Sequence, residues 1–194
     1  MKKLLFNPFE KYNETQLFVA GLAGTIACSY IGYLFNARFD GVLDMHLTKN
    51  VTLAQPFLDN IINITSLLLF IYIAGIIINK KTRLIDILNA VLIARLPYCI
   101  SPLANPEVIS KGVTDKLAHI DPAKPVLPDF SGMDITALTV MGIVSIGTLV
   151  WYMALLYNGY KTATNGKKAN HIVLFIVSIV LAEILSSYLI YLFN

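Results

Sequence analysis

Two charged side chains sit inside apolar runs and set the chemical question. Arg95 lies in the middle of LIDILNAVLIARLPYCISPLAN, residues 84–105, and Glu183 lies inside residues 171–192. A charge at the bilayer centre costs about 2.5–3.5 kcal/mol on insertion scales, so such a group rarely faces lipid. A guanidinium there needs a carboxylate, freed carbonyls or a water-filled cavity. Arg95 and Glu183 can meet that need together as a buried ion pair. The pair is either structural, fixing which helices are neighbours, or part of a substrate or proton path. Pro97 and Pro102 follow Arg95 closely. Each removes a backbone donor, which frees the carbonyls of Ile93 and Tyr98. A packing kink is the expectation, and a carbonyl-lined cavity is the alternative.

A second group is Asp40, Asp44 and His46, three potential ligands within seven residues. On a helix the two aspartates share a face and His46 lies off it. No carboxylate–histidine spacing of a known metal site is matched, so a solvated or surface-lying loop is expected and no metal is assigned. Cys28 and Cys99 both fall in apolar runs, which fits buried thiols better than a disulfide framework or a zinc site. There is no G-x-S-x-G, H-E-x-x-H or G-x-x-x-x-G-K-[ST]. No catalytic residue and no cofactor is assigned.

The elements that position these groups are apolar helices. The chain has 194 residues, 56% hydrophobic and 14% charged, against roughly 25% charged for soluble chains. A formal charge of +3 is too small to argue for nucleic acid. The sequence predicts an all-α integral membrane bundle, one unit over residues 1–194, with five transmembrane helices. Runs of about 20 apolar residues match the ~30 Å core of a bilayer. They fall at about 16–35, 60–78, 84–105, 135–157 and 171–192. Residues 1–12 read as an interfacial segment rather than a signal peptide. Leu4, Leu5, Phe6 and Phe9 would dip into the headgroup boundary. Ala20, Gly24, Cys28 and Gly32 put small residues on one face of the first span, and Ser178, Ala182 and Ser186 do so on the fifth. Either face can pack within the chain or seat a second copy of it.

Between the spans, residues 36–59 are polar and too interrupted to cross. Residues 105–133 carry Pro106, Pro122, Pro125 and Pro128, which argue against a continuous helix; Glu107–His119 is expected as a short surface helix. Ser131 or Asp134 caps the fourth span. Trp151, Tyr152 and Tyr157 are expected as an interfacial aromatic belt at its far end. Residues 158–170 read as a basic turn.

Basic residues set an orientation. Lys2, Lys3, Lys11, Lys80, Lys81, Arg83, Lys161, Lys167 and Lys168 fall on one side, and Arg38, Lys49, Lys111, Lys116 and Lys124 on the other. Nine against five places the N-terminus in the cytoplasm and the C-terminus outside. The third and fifth spans then start from the same face. Arg95 and Glu183 each lie roughly 16–18 Å in, at one depth. The third and fifth helices are expected to be neighbours.

Three stretches resemble the Yip1 family of multi-pass membrane proteins in its bacterial form. They are LLFNPFEKY, TRLIDILNAVLIARLPYCISPL and VWYMALLYNGYKTATNGKKANHIVLFIVSIVLAEIL. The resemblance implies a compact five-helix bundle in a bacterial cytoplasmic (inner) membrane, with its N-terminus in the cytosol and no catalytic residue. Eukaryotic relatives act in vesicle traffic with small GTPases. Their long cytosolic N-terminal region has no counterpart here, so GTPase binding does not carry over. Some bacterial relatives accompany export machinery.

Three functions are compatible with this pattern. A non-enzymatic organising or accessory factor for membrane traffic or an export complex predicts a closed interior. Its partners would be the lipid bilayer and a membrane protein or second copy. A small transporter or channel subunit predicts a cavity reaching Arg95, Glu183 and Asn89 or Tyr98. A lipid-acting enzyme predicts Asp40, Asp44 and His46 close to His119.

Overall fold

The computed structural model describes residues 5–120, 128–166 and 168–193. Lys2, Lys3, Leu4, Pro122, Lys124, Pro125 and Lys167 lie outside the described residues. Among the described residues, six α-helices and three short 3-10 segments carry the architecture. They are α1 (Glu14–Leu34), α2 (Ala54–Ile78), α3 (Leu84–Ala94), α4 (Val113–Ala118), α5 (Gly132–Thr164) and α6 (Ala169–Leu192). Five helical stretches are long and apolar enough to cross a membrane, the third being α3 with its 3-10 continuation. Successive spans run antiparallel, so the N-terminal segment and the end of α6 lie at opposite ends of the bundle.

Helix ends follow local chemistry. Asn13 caps α1 in a capping box with Gln16, and Ser131 caps α5 in a second box with Asp134 at its third position. The cap of α5 is therefore Ser131, and Asp134 is its partner. Three expected boundaries move. Helix α2 begins at Ala54, because Pro56 is tolerated in a first turn. Helix α5 runs on to Thr164 through residues read as a turn and stops where Asn165 takes a left-handed φ of 52°. Its 33 residues rise about 50 Å, more than the ~30 Å core requires. The expected helix over Glu107–His119 breaks into a 3-10 turn, Pro106–Val108, and the six-residue α4.

The third span forms the centre. In its apolar window 61% is buried, against 17–39% in the other four. It is α-helical only to Ala94. Leu96–Ala104 continues as a 3-10 helix carrying both prolines. A residue before proline resists the α conformation, and proline cannot donate to the α-helical ladder. The expected kink is thus a change of helix type with Arg95 at the junction. Helix α3 packs against α5 and α1, whereas α6 packs chiefly along α2. The third and fifth spans are not the close neighbours expected, because other material fills the space between them.

The small-residue faces pack largely inside the chain, with Ala20 left exposed. A Cβ on Gly21 would lie 2.6 Å from Leu92 Cβ, and one on Gly24 would lie 2.0 Å from Leu96 Cδ2. Ser178, Ala182 and Ser186 are buried on α6. Gly159 of α5 meets Ala90 of α3 so closely that an added Cβ would sit 2.4 Å from Ala90 Cβ and 3.0 Å from its Cα. Gly159→Ala is expected to destabilise the bundle by about 1–3 kcal/mol through overpacking. Gly142→Ala, on an open face of the same helix, should be neutral or slightly stabilising. Thermal unfolding of the two variants in the same detergent checks this difference.

The expected aromatic belt divides. Tyr152 is fully buried in the core, whereas Trp151 donates from Nε1 to the Leu5 carbonyl at 2.7 Å. Asn158 Nδ2 donates to the Phe6 carbonyl at 2.8 Å. Together they fasten the N-terminal segment, with its 3-10 turn Pro8–Glu10, across α5.

Candidate functional site: a buried segment between the first two spans

The segment expected to lie in solvent or on the surface divides: Asp44, His46 and residues 48–50 are exposed, but residues 37–42 are built into the bundle. Asn36 turns the chain with a φ of 53°, a left-handed value asparagine tolerates. Two short strands then pair antiparallel: β1 (Ala37–Arg38) and β2 (His46–Leu47). The loop between them folds inward, and Ala37, Phe39 and Val42 are completely buried.

Its first anchor is on α2. Arg38 donates from Nε and Nη2 to the two carboxylate oxygens of Asp59, at 2.7 and 2.9 Å. Both side chains are buried. This fork-to-fork geometry is the strongest form of such a pair. The carboxylate beside it raises the Arg38 pKa further above its ordinary value, chiefly through the hydrogen bond. Asp59 also accepts from the Phe39 N–H at 3.2 Å, and Asn63 Nδ2 donates to the Phe39 carbonyl at 2.8 Å. One residue's backbone is thus held at both its polar groups by side chains one helical turn apart.

The second anchor involves the two intramembrane charges. Arg95 donates from Nη1 to the Val42 carbonyl at 3.3 Å and from Nη2 to Asn60 Oδ1 at 2.9 Å. The Leu43 N–H donates to Glu183 Oε2 at 2.7 Å. The Val42 carbonyl and the Leu43 N–H belong to one peptide group. Its negative end faces the guanidinium and its positive end faces the carboxylate. Among the described ion pairs none joins Arg95 to Glu183. The expected pair of Arg95 and Glu183 is therefore relayed through a peptide dipole instead of being made directly. The two groups meet opposite ends of one planar unit.

The surrounding contacts complete the lock. Ser186 Oγ accepts from the Val42 N–H at 3.2 Å, and Tyr98 Oη donates to the Leu43 carbonyl at 2.7 Å. Tyr98 also stacks near Phe39 and Tyr152, and the Arg95 guanidinium lies 5.8 Å from its ring. Asn60 donates to Ser29 Oγ of α1 at 3.0 Å. Ser101 and Thr148 tie the 3-10 segment to α5 at 2.8 Å. Gly41 gives the carboxylate room: a Cβ there would stand 2.3 Å from Glu183 Oε1, so the side chain would have to shift.

The remaining candidates are placed as follows. Asp40 meets His46 in a close contact, but Asp44 turns to its own backbone and accepts from the Met45 N–H. Among the described residues no group of three His, Cys, Asp or Glu gathers in metal-ligating fashion. His119 meets the Asp115 carbonyl and not the Asp40–His46 pair. Asn89 bonds the Glu14 carbonyl, away from Arg95. Cys28 is buried and Cys99 half-buried, both as free thiols packed near Phe39 and Tyr98. Pro97 and Pro102 are buried in the 3-10 helix.

Arg38, Asp59, Asn60 and Asn63 are the site residues that sequence reasoning missed. A signal was present. Asp59, Asn60, Asn63 and Ser66 make a polar stripe at three- and four-residue spacing on an otherwise apolar helix, which calls for polar material to face it.

Chemically the site is a set of buried charges held by hydrogen bonds to the chain itself, with Arg95 Nε and Asn63 Oδ1 left unpartnered. Five clefts among the described residues, one of them beside Leu43 and Tyr98, are lined by neither Arg95 nor Glu183. No protein-family model matches the chain, and no curated protein or solved structure matches it either. The fold and site together define an all-helical bundle with five helices suited to span a membrane and a charged segment locked into its interior.

Proposed function

We propose that the chain is a non-enzymatic multi-pass membrane protein that organises or assists partner proteins in membrane traffic or in an export complex. It sits in a bacterial inner membrane with its N-terminus in the cytoplasm, as the resemblance to the Yip1 family and the distribution of basic residues imply. The observation that carries this reading is the state of the interior charges. Arg95 is 3% exposed and holds the Val42–Leu43 peptide, whose N–H holds Glu183. A translocation site needs such groups to face a cavity that opens alternately. Here they bind the chain's own Val42–Leu43 peptide, which supports a scaffold over a conduit.

The test has two arms. Purified chain in sealed liposomes should pass monovalent ions and small solutes no faster than empty liposomes. Crosslinking in intact membranes followed by capture should recover a reproducible membrane-protein partner. Flux that Arg95→Ala abolishes while the bundle stays folded would replace this reading with a transporter or channel subunit.

A further inference from the structure

Two adjoining clefts run along the side of the bundle between α1, the third span and α5. One is polar, about 250 Å³, and is lined by Glu14, Arg83, Asp86, Asn89 and Thr162 among others. The other is apolar, about 500 Å³, and is lined by Ala20, Ile93, Leu96, Pro97, Ile100 and Trp151 among others. Tyr12 and Leu17 wall both. On the third span the polar cleft takes positions 83, 86 and 89, and the apolar groove takes positions 93 to 100. The two therefore follow one another from the helix end inward. Ile93 to Ile100 spans about 13 Å at mixed α and 3-10 rises, close to the ~15 Å half-thickness of a bilayer core. The groove also has the size of small-molecule pockets, which run from about 300 to 1,000 Å³.

Asn89 gives the polar cleft a direction. It is 2% exposed, its Nδ2 donates to the Glu14 carbonyl at 3.1 Å, and its Oδ1 has no partner. That carbonyl fixes which end of the amide faces it, so the unpaired atom is an acceptor. A buried acceptor without a donor is destabilising until something donates to it. Around it Arg83 holds Glu14 at 2.7 Å and Asp86 at 2.5 Å. One cation and two carboxylates leave the cleft with an excess of negative charge beside a single positive group.

We propose that the paired clefts hold one phosphatidylethanolamine molecule. Its ammonium donates to Asn89 Oδ1 and the nearby carboxylates, its phosphate lies against Arg83, and one acyl chain follows the apolar groove beneath Pro8 and Tyr12. A choline headgroup has no N–H to donate, and a phosphoglycerol headgroup brings only negative charge to a site already rich in it. The site is independent of the organising role proposed above.

Trp151 is the single tryptophan of the chain and forms part of the groove wall, so it reports occupancy directly. The full chain is reconstituted in phosphatidylcholine vesicles containing an equal fraction of brominated phosphatidylethanolamine, phosphatidylcholine or phosphatidylglycerol. Brominated phosphatidylethanolamine should quench Trp151 in excess of the other two. The excess should correspond to roughly two- to tenfold enrichment, the equilibrium ratio of one net hydrogen bond. Ala20→Phe, which fills the groove from an exposed position, should remove the excess and leave only background quenching. Asn89→Leu should reduce the excess to the level of phosphatidylcholine. Equal quenching by the three lipids would overturn the proposal. So would preference for phosphatidylglycerol, or an excess that survives Ala20→Phe. If Asn89→Leu does not fold, Ala20→Phe decides alone.

Discussion

Arg38→Ala should unseat the Asn36–Leu47 segment and cost about 3–5 kcal/mol, the range for removing one partner of a buried ion pair. The loss exceeds that of a surface pair because Asp59 is 1% exposed and would keep an uncompensated charge among apolar helices. It also loosens the Phe39 backbone, since Asp59 would be drawn toward water and away from the Phe39 N–H. Cys28 offers a native reporter. It is buried against Phe39 and Tyr98, so unseating the segment should expose its thiol to maleimide. In a Cys99→Ser background, labelling of Cys28 should be slow in the parent and at least tenfold faster in Arg38→Ala, with a lower thermal midpoint. Arg38→Met combined with Asp59→Leu should recover part of the stability, because an apolar pair of similar volume leaves no charge behind. Unchanged labelling and midpoint in Arg38→Ala would show that the segment is held by packing alone.

Arg95→Leu is expected to have an effect of similar size, again about 3–5 kcal/mol. It strips donors from Asn60 Oδ1 and the Val42 carbonyl and removes the positive end of the relay to Glu183. Glu183→Gln should cost less, because its amide oxygen can still accept from the Leu43 N–H. The informative measurement is a double-mutant cycle between Arg95 and Glu183. Their coupling should be substantial in the parent chain. It should fall toward zero when the cycle is repeated on Arg38→Ala, where the bridging Val42–Leu43 peptide no longer stands between them. A direct ion pair would keep or increase its coupling in that background. The two variants thus test one idea at two places: the inserted segment is the element on which the bundle's charges converge.

Much of the frame was legible in the linear chain. Five long apolar runs require helices, because no other segment satisfies every backbone group in hydrocarbon except a closed barrel. Gly24 and Gly32 announced close approach on the first span; Leu96 of the third span packs on Gly24, and Phe39 and Pro56 pack on Gly32. Arg95 and Glu183 were recognisable because a charge in an apolar run must be answered by something. Pro97 and Pro102 showed that the third span could not stay α-helical throughout, although they did not specify a 3-10 helix.

The identity of the answering groups was decided only by tertiary structure. Asn-Ala-Arg-Phe-Asp-Gly-Val-Leu reads as polar and interrupted because Arg38 and Asp40 appear as free charges in one dimension. Arg38 is neutralised by Asp59, 21 residues away, and only then can Phe39 and Val42 enter the core. Composition sums a charge where folding cancels it. Depth along each helix placed Arg95 and Glu183 level, but it carried no information about what stood between them. Helix α6 lies chiefly along α2, and one peptide group bonds both charges. The sequence by itself determined that the buried charges needed partners. The fold decided that a backbone dipole would carry one to the other, since a peptide group has a donor and an acceptor on opposite sides and no side-chain pattern reveals where it will be placed.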